Sequence, residues 1–171
     1  MPTKSIALIA VFFALLFVWG CGGDSNNNSV DNREAFRTVA IPVRDNAYSR
    51  FNSQVIGSRE QLDQLLSSVP ESEWRGKELF VRVIQESDLD FDRDALILLR
   101  NTEGSGSVGV SLDTPRVKSR RLLSTIQRRV PPLGTADMAY YAFALAVSKY
   151  QVDEVVIEVE NRETIRLSVP D

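Results

Sequence analysis

The segment Met138–Lys149, MAYYAFALAVSK, decides how the C-terminal half of this 171-residue chain is built, and it satisfies two patterns at once. Its alanines favour a helix. Phe143, Leu145 and Val147, however, recur at every second position, the period at which side chains of a strand share one face. We read it as a strand, in keeping with its surroundings. Downstream, EVVIEVE (154–160) and ETIRLSV (163–169) form the clearest hairpin, since Val155, Ile157 and Val159 alternate with Glu158 and Glu160, and Ile165, Leu167 and Val169 alternate with Arg166 and Ser168. Upstream, VKSRRLLSTIQRRV (117–130) reads as one long strand closed by Pro131-Pro132. ALILLR (95–100) and SVGVSLD (107–113) read as a further hairpin, with Gly104 and Gly106 supplying the backbone freedom of its loop.

Nearer the N-terminus, FRTVAIPVR (36–44) and SRFNSQVIG (49–57) read as two paired strands turning at Asp45-Asn46. SREQLDQLLSSV (58–69) carries the clearest helical spacing: Leu62, Leu65, Leu66 and Val69 fall on one face, Ser58 and Gln61 form a capping box, and Pro70 stops the helix. GKELFVRVIQES (76–87) fits a second helix through Leu79, Phe80, Val83 and Ile84, although Val-Arg-Val-Ile also fits a strand. The expected fold is therefore α+β, a mainly antiparallel sheet with one or two short helices in its N-terminal half, in a single domain over residues 34–171.

What precedes that domain is an address. Lys4 is followed by an unbroken apolar run from Ile6 to Trp19, long enough for export but short of the roughly 20 residues that span a bilayer. Val18-Trp19-Gly20-Cys21 resembles the lipobox of bacterial lipoproteins, which implies cleavage of residues 1–20 as a signal peptide and acylation of Cys21. Residues 21–33 then form the lipidated cysteine and a glycine- and asparagine-rich flexible tether. In that family an acidic residue directly after the cysteine retains the protein in the inner membrane. Gly22 occupies this position, which points to the outer membrane.

The segments VIGSREQLDQLL and LDFDRDALILLRNTEGSGSVGVSL resemble the C-terminal, PrcB-like domain of lipoproteins that stabilise a protease complex. Ile56, Ser58, Glu60 and Leu62 match the lead-in to its short helix, and Asp90-Phe91 with Ala95–Leu99 match its turn and aliphatic strand. The similarity runs over about residues 54 to 160. It implies a non-catalytic module of the cell envelope that binds or stabilises a protein, a protease being one candidate.

Composition narrows the chemistry further. The chain has no histidine and a single cysteine, which excludes Ser-His-Asp and Cys-His nucleophilic sites, the usual zinc ligand sets and any disulfide within the chain. Loss of Lys4 with the leader takes the net charge from −3 to −4, giving no reason to invoke nucleic acid. Asp88, Asp90, Asp92 and Asp94 are spaced like the start of a calcium loop, yet Arg93 and Leu99 stand where such a loop needs glycine and glutamate. No metal or other cofactor is expected. The alternative is a hydrolase or cation-binding protein relying on carboxylates such as Glu73, Asp90 and Glu103. The other charged cluster is basic: Arg116, Lys118, Arg120, Arg121, Arg128 and Arg129. On one strand, Lys118, Arg120 and Arg128 would share a face. Arg116, Lys118, Arg120 and Arg128, with Tyr140 nearby, are thus candidates for binding an acidic partner; the plainer reading is an edge strand protected by charge.

Overall fold

The computed structural model describes residues 35–170, so the readings of the signal peptide, Cys21 and the tether fall outside the described residues. The described chain is mostly sheet. Its strands are β1 Phe36–Val39, β2 Gln54–Ile56, β3 Asp94–Glu103, β4 Gly109–Leu112, β5 Arg116–Lys118, β6 Arg121–Arg129, β7 Ala139–Ser148, β8 Glu154–Val159 and β9 Ile165–Ser168. Two α-helices, α1 Arg59–Ser68 and α2 Lys77–Glu86, lie between β2 and β3. Two 3-10 turns, Asn46–Arg50 and Glu71–Glu73, are also present.

The strands form two sheets. One is antiparallel, in the order β1-β7-β3-β2; the other runs β4-β6-β8-β9, with β5 beside β4 on the same edge of β6. The β6–β8 pair is parallel and every other pair is antiparallel. That parallel pair follows from β7 lying in the other sheet: the chain leaves β6, returns along β7, and re-enters beside β6 in its original direction.

The ambiguous segment is β7, at the centre of the molecule. Phe143, Leu145 and Val147 face the second sheet, in a core with Ile97 and Leu99 of β3, Leu122 and Ile126 of β6, and Val155 and Ile157 of β8. Ala142, Ala144 and Ala146 face the other way, toward Leu62 and Leu65 of α1, Phe80 and Ile84 of α2, and Tyr48, Phe51 and Trp74. A strand buried on both faces does not show polar alternation. Here its alternation is large against small, and the alanines leave room for aromatic rings: Phe51 meets Trp74 edge-on at 5.2 Å, and Trp74 meets Phe80 at 5.0 Å.

Helix α1 starts as its sequence implies. Ser58 Oγ accepts from Gln61 N at 3.3 Å, and Gln61 Oε1 reaches back to Gly57 N at 2.6 Å, one residue beyond the usual partner of a capping box. Leu62 and Leu65 are buried, while Leu66 packs partly buried beside them. Residues 77–86 resolve to helix.

Three expected pairings differ. The first strands do not pair with each other: β1 joins β7, and β2 joins β3. Between them Asp45 caps a 3-10 turn, its Oδ1 accepting from Ala47 N at 2.8 Å, and this turn buries Tyr48 and carries the chain to Phe51 in the core. Residues 95–100 and 107–113 form no hairpin: β7 pairs along the whole of one edge of β3, β2 pairs with Leu96–Leu98 on the other, and β4 joins β6 in the second sheet. Residues 117–130 form two strands rather than one. Ser119 and Arg120 take φ of 50° and 58°, the left-handed pair that a tight reversal between β5 and β6 requires, without the Asn-Gly that usually marks one.

Candidate functional site

That reversal disperses the basic cluster. Arg116 and Lys118 stand exposed on β5, an edge strand whose charge opposes sheet-to-sheet association. Arg120 leaves the strand for the turn, where its guanidinium pairs with both carboxylate oxygens of Asp153 and donates to the Tyr150 carbonyl. It therefore shares no strand face with Lys118 and Arg128. Tyr140 lies half-buried on β7 against the helical layer. Arg128 turns inward to Glu103, near the opposite end of β6 from Arg120.

Glu103 ends β3 and is 1% exposed. Arg128 holds it in a two-pronged contact, Nε to Oε1 at 2.8 Å and Nη2 to Oε2 at 2.7 Å. Asn101 Nδ2 donates to Oε1 at 2.7 Å, and Arg162 Nη2 to Oε2 at 2.8 Å. Arg162 comes from the β8–β9 connection, where Asn161 adopts a φ of 59°. Burial alone would push the Glu103 carboxyl up, but Arg128, Asn101 and Arg162 together outweigh it and hold the group below its ordinary value. One carboxylate thus joins the first sheet to two elements of the second. Glu103 and its arginines are separated by 25 and 59 residues, so no local pattern announces them.

The same end of the molecule carries two interlocked loops, residues 104–108 and 130–138. Thr135 N donates to Ser105 Oγ at 2.9 Å and to Ser107 Oγ at 3.3 Å. Gly106 N donates to Asp137 Oδ1 at 3.2 Å, and Arg44 Nη1 donates to the Gly106 carbonyl at 3.0 Å. Arg44 also sits 3.5 Å from Asp137 and over the ring of Tyr141, whose hydroxyl donates to the Val108 carbonyl at 2.6 Å. A Cβ at Gly106 would lie 2.7 Å from Arg44 Nη2, and one at Gly134 would lie 2.8 Å from Ser105 Oγ, so both glycines permit the close approach. Thr135, Gly106 and Arg44 hold the Asp137 carboxyl below its usual range.

The second loop presents both polar and apolar side chains outward: Thr135 and Asp137 are exposed, and so are three large apolar residues. Val130 is 62% exposed, Leu133 88% and Met138 53%. Sequence reading passed over them because VPPLGTADM looks like connecting material; the signal was three large apolar residues within a proline- and glycine-bearing loop.

The carboxylates considered for catalysis do not gather. Asp90 caps the turn before β3, accepting from Asp92 N at 3.0 Å, whereas Glu103 ends that ten-residue strand. At about 3.3 Å per residue the strand holds them roughly 30 Å apart, far beyond the 5–10 Å at which two carboxyls share a glycosidic bond. Glu73 is exposed and paired with Arg50 at 2.8 Å. Among the described residues no three acidic side chains are grouped to hold a metal ion. An open groove of about 930 Å³ runs between the Asn46–Arg50 turn and Gly76, and Asp45 within it accepts from the Gly76 amide at 2.9 Å.

No family model, no curated protein and no solved structure matches the chain.

Proposed function

We propose that the protein is a lipid-anchored, non-catalytic module of the bacterial cell envelope, favouring the outer membrane, whose domain binds or stabilises another protein. The observation that carries this reading is Val18-Trp19-Gly20-Cys21, placed after an apolar run of export length and before a polar tether. A thiol is the side chain suited to alkylation, and several acyl chains on one cysteine would give a stable attachment, each buried methylene contributing about 0.8 kcal/mol. The resemblance of residues 54–160 to the PrcB-like domain supports the binding role, with a protease among the possible partners. The absence of histidine and the separation of Asp90 from Glu103 weigh against the alternative, a carboxylate-dependent hydrolase or cation-binding protein.

The test is purification of the full-length protein from its native envelope in mild detergent. One partner at a fixed stoichiometry, with no hydrolytic activity on envelope polymers and no bound calcium, is the expected result. Activity or bound calcium in the partner-free protein would overturn the reading.

A further inference from the structure

We propose that the groove between the Asn46–Arg50 turn and the start of α2 is the docking surface of this domain, and that its occupant is an acidic segment of a protein partner. The inference rests on the binding role proposed above and assigns it a surface. Three guanidinium groups from separate stretches of chain, those of Arg44, Arg50 and Arg75, line this one groove of about 930 Å³, in a chain whose net charge is −3. The basic stretch that the sequence offered to such a partner is divided among β5, the Ser119-Arg120 turn and the contact with Glu103. The fold gathers cations instead from positions that no sequence run connects.

Two carboxylates also line the groove, and neither is open to a cation. Asp45 accepts from Ala47 N through Oδ1 at 2.8 Å and from Gly76 N through Oδ2 at 2.9 Å, which fixes the turn against the start of α2 before anything binds. Glu73 Oε2 accepts from Arg50 Nη2 at 2.8 Å. That pair is exposed on both sides, at 60% and 45%, and contributes little to stability, so Arg50 can exchange it for an incoming carboxylate. The Arg75 side chain is exposed, and its guanidinium forms no ion pair or hydrogen bond among the described residues. The uncommitted charge is therefore positive, carried by a group whose fork of donors matches a carboxylate. Small ligands are held in pockets that enclose them; an open groove with its cations spread over three stretches of chain suits an extended segment bearing several carboxylates.

The experiment places a photo-crosslinking amino acid at position 72, which lines the groove, or at position 118 on β5, of the full-length protein in its own cells, and identifies the adducts by mass spectrometry. The expected result is one protein adduct from position 72, joined within a segment where Asp and Glu outnumber Lys and Arg, and none from 118. At low salt the purified partner should then bind Arg75→Glu about tenfold more weakly than the unaltered chain, with the difference shrinking as salt is raised. Lys118→Glu makes the same change in net charge and should stay within about twofold of the unaltered chain. Arg75 and Lys118 are both exposed, so neither change should disturb folding. Adducts from 72 only to phospholipid, to polysaccharide or to a second copy, or to a partner segment without an acidic excess, would overturn the proposal. Equal weakening by the two variants, or none by Arg75→Glu, would do the same. A protein adduct from 118 alone would overturn this surface while leaving the binding role intact. No protein adduct from either position, together with no co-purifying partner, would remove both.

Discussion

Glu103 shows how one buried charge can fasten two sheets. Its neighbours differ in exposure, Arg128 at 16% and Arg162 at 36% of the side chain, so the two arginines differ in how readily they return to water when the carboxylate is removed. Breaking a buried pair on one side typically costs 3–5 kcal/mol. For Glu103→Ala we expect about 3 kcal/mol, at the low end because Arg162 can rotate outward, measured as a fall in the urea midpoint at unchanged slope. The pH dependence has a defined sign. The folded carboxyl titrates below its ordinary value of about 4.5, so its contribution is complete above that value and is lost as pH falls through the lower folded value. The original chain should therefore lose stability more steeply below pH 4.5 than Glu103→Gln, and the two curves should run parallel at higher pH. Equal slopes in acid would mean that the carboxylate titrates as it does in the unfolded chain.

At the scale of elements, β7 explains why its sequence reads two ways. Alanine is there to let the aromatic layer approach, a requirement set by residues nearly 100 positions away, such as Tyr48 and Phe51. Placing a large side chain at Ala144, which is 1% exposed, should overpack this layer: Ala144→Leu is expected to cost about 1–3 kcal/mol, read from equilibrium unfolding. A neutral or stabilising result would show that the helical layer yields freely. Leu65→Ala probes the opposite side of the same core. The residue is 8% exposed on α1, so about 2–5 kcal/mol should be lost through reduced burial and the cavity left behind. A loss within about 0.5 kcal/mol would place α1 outside the core. These elements also mark where sequence reading succeeds. The α1 stripe, its Ser58 cap, β7 and the β8–β9 hairpin carry their periods within a few adjacent residues, and each is present. Partners chosen over a distance do not. The two-residue reversal at Ser119-Arg120 lacks the usual glycine or asparagine, relying instead on Asp153 and Tyr150 to hold Arg120, and this is why Lys118, Arg120 and Arg128 read as sharing a face of one long strand. Likewise, nothing local tells β4 that β7 and β2 pair with β3 and that its own partner is β6.

Across the whole molecule the fold has two unlike ends. One gathers the start of β1, the Ser119-Arg120 turn and the β7–β8 connection. The other gathers Glu103, its arginines and the loop bearing Leu133. The proposed role depends on what happens at residues 18–21. Mass spectrometry of the mature N-terminus, on protein taken from its native envelope, measures that directly. An acylated Cys21 with residues 1–20 absent is the expected result; a chain retaining Lys4, or one beginning near position 21 with a free thiol, would contradict it.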